Sequence, residues 1–147
     1  MLTIEHYVAP SQIHGLGVFC KSRVYRGSPV WEFNSIIDKI ISKLSLATLP
    51  LHTVNQIRTH AEFLPDINCY ILAADGDYYM NHADEPSLID HGKLMFAARD
   101  LKVGEELTCD YRIVHVDAFN PDQARLMKDI LVCEETLYNQ VNVRSVG

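Results

Sequence analysis

Ala98-Arg99-Asp100-Leu101-Lys102-Val103-Gly104-Glu105-Glu106-Leu107-Thr108-Cys109-Asp110-Tyr111 is a charged turn running into a short apolar strand. Val103-Gly104 marks the turn, and 106–111 reads as the strand, closed by Asp-Tyr. Alone, the segment describes a solvated hairpin with one more core tyrosine among seven. Upstream, 93–98 reads as a strand, and so does 69–74, which ends at the turn dipeptide Asp75-Gly76. Asp77-Tyr78-Tyr79-Met80-Asn81-His82 follows and reads as another strand, then Ala83-Asp84-Glu85-Pro86-Ser87, whose proline forces an irregular path. Asn81 and His82 are adjacent polar groups able to bond backbone or ligand.

Nearer the N-terminus, His14-Gly15-Leu16-Gly17-Val18-Phe19 carries two glycines two apart. They let the chain turn sharply and bring backbone N–H and C=O groups close to a ligand. The turn opens no helix, which disfavours a phosphate cradle. TIEHYVA, GVFC and SPVWEF around it are β-friendly runs, punctuated by Arg26-Gly27-Ser28-Pro29. Ile36, Ile37, Ile40, Ile41 and Leu44 then recur at helical spacing, as do Leu51, Val54, Ile57 and Ala61. This predicts two short helices across about 36–63, ended by Pro65. Near the end, Asn120 and Pro121 suit a helix start, and Ala124, Met127, Ile130 and Leu131 share a face. That stripe either packs on the domain or pairs two copies into a homodimer. The fold class by period is α+β, β-dominated.

The chain has 147 residues, 48% hydrophobic and 22% charged, values of an ordinary single globular domain. Thirteen Lys+Arg against nineteen Asp+Glu give a net charge of −6. No basic stripe speaks for direct nucleic-acid binding; an acidic surface suits a basic peptide better. No apolar run approaches the roughly 20 residues of a membrane span, and no signal peptide is visible. Cys20, Cys69, Cys109 and Cys133 are widely spaced, so neither a disulfide framework nor a metal site is expected. The thiols read as reduced core residues of an intracellular, reducing compartment, cytoplasmic or nuclear.

In order, the G-x-G turn, the Asn-His pair after a strand and the A-R-D-(apolar)-K-x-G-E-E-L-T-x-D-Y ending resemble the SET domain family of protein-lysine methyltransferases. The resemblance covers about residues 4–115, with 36–63 in the place of the family's variable insert. It implies a SET domain over 1–117, built of small curved sheets around a pseudoknot in which the C-terminal motif threads beneath the loop after Asn-His. Residues 118–147 are then a helical extension closing the domain. The implied activity is S-adenosylmethionine-dependent methyl transfer to a lysine amine in a protein substrate, a histone or another basic protein. The backbone of Gly15, Leu16 and Gly17 would contact the cofactor, and Asn81 and His82 would bond its adenine and hold the pseudoknot. Tyr111 would be the catalytic tyrosine. Tyr79 takes the place of a family aromatic beside cofactor and substrate, Phe33 stands in the substrate-lining segment, and Phe119 would cover the adenine.

The sequence also departs from the family pattern. Where the family has N-H-S-(C/x)-x-P-N, this chain has Asn81-His82-Ala83-Asp84-Glu85-Pro86-Ser87. Tyr78 stands where many members carry Arg, and Trp31-Glu32-Phe33-Asn34 lacks the tyrosine that often lines the lysine channel. Cysteine-rich zinc segments are absent, as in minimal viral and bacterial members. These departures motivate an alternative: a catalytically weak or inactive SET-fold module acting through cofactor or protein binding.

Overall fold

The two-glycine turn sets the register of the first hairpin. β1 (His6–Pro10) and β2 (Leu16–Cys20) pair antiparallel, from His6 opposite Cys20 to Pro10 opposite Leu16. Gly15 adopts φ +49°, a left-handed conformation that a Cβ would strain, and the Ser11 N–H closes the loop on the Gly15 carbonyl at 2.9 Å. β1 is an edge strand, so Pro10 removes no ladder donor from the sheet interior.

A computed structural model describes residues 1–114 of the chain. Three small sheets make up these residues. The first has the order β1-β2-β10-β7, where β7 is Asn81–His82 and β10 is Glu106–Cys109. β10 runs antiparallel to β2 and parallel to β7, with Thr108 opposite Asn81 and Cys109 opposite His82. The second sheet, β3-β9-β8, comprises β3 (Pro29–Glu32), β8 (Leu88–Asp90) and β9 (Leu94–Ala97). The third, β4-β6-β5, comprises β4 (Lys39–Ser42), β5 (Glu62–Leu64) and β6 (Cys69–Leu72). The first two sheets face a core of Val18, Cys20, Val30, Trp31, Leu88, Met95, Leu101 and Leu107. Helix α1 (Leu51–His60) packs Val54 and Ile57 onto the third sheet in a second core with Leu46, Phe63 and Tyr70.

The structure corrects the first of the two helices expected across 36–63. Lys39–Ser42 is a strand paired with β6, followed by a 3-10 segment over Lys43–Thr48. The supposed apolar face is not buried: Ile36 is 88% and Leu44 81% exposed. Adjacent β-branched isoleucines favour a strand, and the free edge of β6 supplies the partner. The second expected helix forms as α1. The expected strand across 77–82 is also mostly something else. Gly76–Tyr79 is a 3-10 turn, started by the Asp75 carboxylate accepting the Asp77 N–H at 3.2 Å, and only Asn81–His82 finds a ladder partner. Cys20 and Cys109 are buried free thiols, while Cys69 is free but only half-buried, at the mouth of its strand. The expected closing helix, Phe119 and Cys133 lie outside the described residues.

Candidate active site

The loop after β7 holds β10 by side-chain bonds. Ser87 is 1% exposed; its N–H donates to Thr108 Oγ1 at 2.9 Å and its Oγ accepts the Thr108 N–H at 2.7 Å. The Ala83 N–H adds a bond to the Cys109 carbonyl. The end of β10 is thereby fixed against the Asn-His pair, and Tyr111 begins a helical turn, α2 (Tyr111–Val114), at that junction.

Asn81 connects this junction to the glycine turn. Its Nδ2 lies 3.0 Å from the carbonyls of both His14 and Leu16, and 2.9 Å from Glu106 Oε1. The Glu106 carboxylate also accepts the Ser11 hydroxyl at 2.9 Å. This bonded centre explains the second glycine: a Cβ on Gly17 would lie 2.2 Å from Glu106 Oε1. Gly15 instead has open space above it and is required by its φ. The two glycines therefore serve different ends. Glu106 and Ser11 escape a reading based on motif letters. Only the repeated acid of Glu105-Glu106 hinted that one of the pair faces inward.

Tyr111 is held at both ends. Its backbone N–H donates to His82 Nδ1 at 3.1 Å, and its hydroxyl donates to the Met80 carbonyl at 2.5 Å. Nδ1 of His82 is therefore an acceptor, and Nε2, 3.4 Å from Asp84 Oδ1, carries the ring proton. Burial, reinforced by the neighbouring Cys109, Asp77 and Glu106, pushes the Tyr111 phenol up to about 12. The hydroxyl stays neutral and cannot act as a base at physiological pH. Its proton points at Met80, so its oxygen is available as an acceptor.

Tyr111 lines a narrow cavity of about 20 Å³, room for one water-sized group. Trp31, His60, Glu62, Asp77 and Tyr78 share its wall. Trp31 is 1% exposed, and its indole N–H has no hydrogen-bond partner among the described residues. Tyr78 stacks on His60 at 4.1 Å between ring centroids and accepts a bond from Gln56. Tyr79 meets Tyr78 edge-on but faces the open surface beside Ala74 and Asp75. Phe33 packs at the rim of the main core beneath the Lys93 ammonium and is not among the residues lining the cavity. The structure thus brings Gly15, Leu16, Gly17, Asn81, His82 and Tyr111 together, while Tyr79 faces the open surface and Phe33 lies outside the cavity lining.

Open space at Gly15, an exposed Leu16 and the half-buried His82 ring, 5.5 Å from the Tyr111 ring, are the surfaces an S-adenosylmethionine-like ligand would meet. Among the described residues no cluster of His, Cys, Asp and Glu could hold a metal ion, and no helix is long and apolar enough to cross a membrane.

Small sheets with a tyrosine just past a strand end, its N–H bonded to the histidine of a preceding Asn-His pair, define a class of β-rich domain. The family model for the SET domain matches residues 15–112, and the chain belongs to that family. It is 31% identical over 120 residues to human histone-lysine N-methyltransferase 2B; the match covers 75% of this chain but only 4% of that protein. Two solved structures share the fold. One is a candidate histone methyltransferase of Plasmodium falciparum, with TM-score 0.52, 16% identity, and coverage of 75% of this chain and 95% of that one. The other is a humanized mutant of the Chaetomium thermophilum Polycomb Repressive Complex 2 bound to the inhibitor GSK126. Its TM-score is 0.55 at 20% identity, covering 74% of this chain and 15% of that one.

Proposed function

We propose that this chain is an S-adenosylmethionine-dependent protein-lysine N-methyltransferase, acting on a lysine in a basic or flexible segment of a protein such as a histone. The observation that carries the reading is the position of Tyr111: its hydroxyl is bonded to Met80, next to the Asn81 whose amide holds the double-glycine turn. S-adenosylmethionine, when bound, supplies a sulfonium methyl group. The backbone at Gly15, Leu16 and Gly17 would hold it, with Asn81 and His82 on the adenine side. Tyr111 accepts an amine N–H through its neutral oxygen and so orients the nitrogen without charge. Tyr79 and Phe33 belong to the approach of the substrate. The SET relatives named for histone methylation, and the acidic net charge, favour a basic protein substrate in the cytoplasm or nucleus.

The competing reading, a weak or inactive module, rests on the altered segment after His82. Ser87 stands where the family has Asn, yet it bonds Thr108 twice and keeps the loop clasped to β10. Incubation with labelled S-adenosylmethionine and a panel of basic proteins separates the two. Transfer to lysine is expected, and Tyr111→Phe should lower it by about 10²-fold or more while cofactor affinity stays. Cofactor binding with no transfer to any protein rejects the enzyme reading, and an undiminished Tyr111→Phe rate rejects the role of Tyr111.

A further inference from the structure

We propose that Asp77, in the cavity it shares with Tyr111, is the proton acceptor that turns an entering ammonium into a neutral amine. The inference rests on the methyltransferase reading and adds to it the group that prepares the nucleophile. The cavity has room for one water-sized group, the size of an ammonium head. A free lysine ammonium has a pKa of about 10.4, so presenting it neutral at pH 7.4 costs roughly 4 kcal/mol. An apolar channel alone would meet that demand by excluding the cation, which also slows its entry. Here two acids line the wall, and the one that ionises attracts the cation before neutralising it inside.

The two acids are not equivalent. Glu62 is pushed up to about 9, chiefly by burial and then by Asp90 and Asp77; it keeps its proton and donates it to the Asp90 carboxylate. Its proton is committed. Asp77 is pushed up to about 7, again chiefly by burial. Asp75, Asp38 and Asp90 raise it further, and the amino-terminal ammonium of Met1 opposes them. It is therefore ionised in a large fraction of molecules near neutral pH, and is a stronger base than an ordinary carboxylate. The other titratable groups on the cavity wall fit the role less well. Tyr111 stays protonated, the Cys109 thiol is pushed well up by burial, and burial pushes His60 down, weakening it as a base.

In the step itself an ammonium N–H bond breaks, its electron pair remains on nitrogen, and an O–H bond forms on the Asp77 carboxylate. A cation and an anion become an amine and an acid, an exchange that a low-dielectric cavity favours. The proton passes to water before the next turnover. The neutral nitrogen is then held by the Tyr111 oxygen.

The first test needs no activity. In a carboxyl-carbon NMR titration, the Asp77 resonance, assigned by its loss in Asp77→Asn, should titrate near pH 7. Added n-butylammonium, a stand-in for the lysine side chain, should shift that midpoint upward, because the carboxyl takes the ligand's proton and keeps it. A midpoint that n-butylammonium leaves unmoved, or lowers as an ion pair with the proton still on nitrogen would, overturns the inference. The second test is the pH dependence of methyl transfer. At pH 7.5, Asp77→Asn should lose about 10²-fold in kcat and recover much of it at pH 9.5, where the substrate amine deprotonates unaided. Asp77→Glu should keep the rise near neutral pH, and neither variant should melt below the parent protein. Coincident pH profiles for Asp77→Asn and the parent overturn the inference alone. A parent protein that methylates nothing removes the methyltransferase reading, and the n-butylammonium titration still decides whether Asp77 receives an amine.

Discussion

Gly17 has an ordinary φ, so the need for glycine there is spatial. Any Cβ meets the Glu106 carboxylate, which Ser11 and Asn81 hold in place. Gly17→Ala must therefore push Glu106 away and break bonds to both neighbours. A loss of about 1–3 kcal/mol in urea unfolding is expected, since displacing the half-buried carboxylate leaves the Asn81 amide and Ser11 hydroxyl without their acceptor. The coupling is specific. With Glu106→Ala already in place, Gly17→Ala should cost at least ~0.5 kcal/mol less, because the atom it strikes is gone. Strict additivity in that cycle would show that Glu106 is not what the glycine accommodates. Gly15→Ala strains the turn through φ, and its cost should be the same with or without Glu106.

At the scale of elements, the bond between the 83–87 loop and β10 sets where Tyr111 starts. Ser87→Ala removes the acceptor of the Thr108 N–H in a fully buried place, and about 1–3 kcal/mol should be lost. Hydrogen exchange at Thr108 should accelerate with it; unchanged protection there would deny the clasp. The elements around this clasp were readable from the sequence where a local signal and the tertiary pairing agree. Strands β1, β2, β3, β6, β9 and β10 fall where short, largely apolar runs are bounded by turn residues. Tyr111, Asn81, His82 and the two glycines were legible because their residue types recur in a fixed order. The strand at Lys39–Ser42 was not legible: Ile36, Ile37, Ile40 and Ile41 satisfy a helical period while their branching satisfies a strand, and only β6 decides between them. Nor was the acidic wall. Glu62 and Asp77 lie fifteen positions apart, on β5 and a 3-10 turn, and no spacing rule connects them to Tyr111.

For the whole molecule, that acidic wall should appear in the pH dependence of stability. Glu62 sits on the third sheet and its partner Asp90 on the second, so their shared proton ties two sheets together. In the unfolded chain Glu62 ionises at its ordinary 4.5; in the folded protein it ionises at about 9. Between these values the folded state binds more protons than the unfolded one, so stability falls as pH rises, by at most about 1.4 kcal/mol per pH unit for this group. Asp77, ionising at about 7 in the fold against an ordinary 3.8, adds a fall of the same sign up to about pH 7. Asp110, held down by Arg112, acts oppositely, but only at acid pH and at a more exposed site. The protein should therefore be most stable near pH 5 and lose stability steadily towards pH 9. Glu62→Gln keeps a donor for Asp90 and removes the titration. Urea midpoints for this variant should match the parent near pH 5, exceed it at pH 8.5, and follow a flatter curve between. A parallel curve across that range would mean that Glu62 is ionised in the fold, leaving the cavity beside Tyr111 with a second fixed anion and Asp77 with a still higher affinity for its proton.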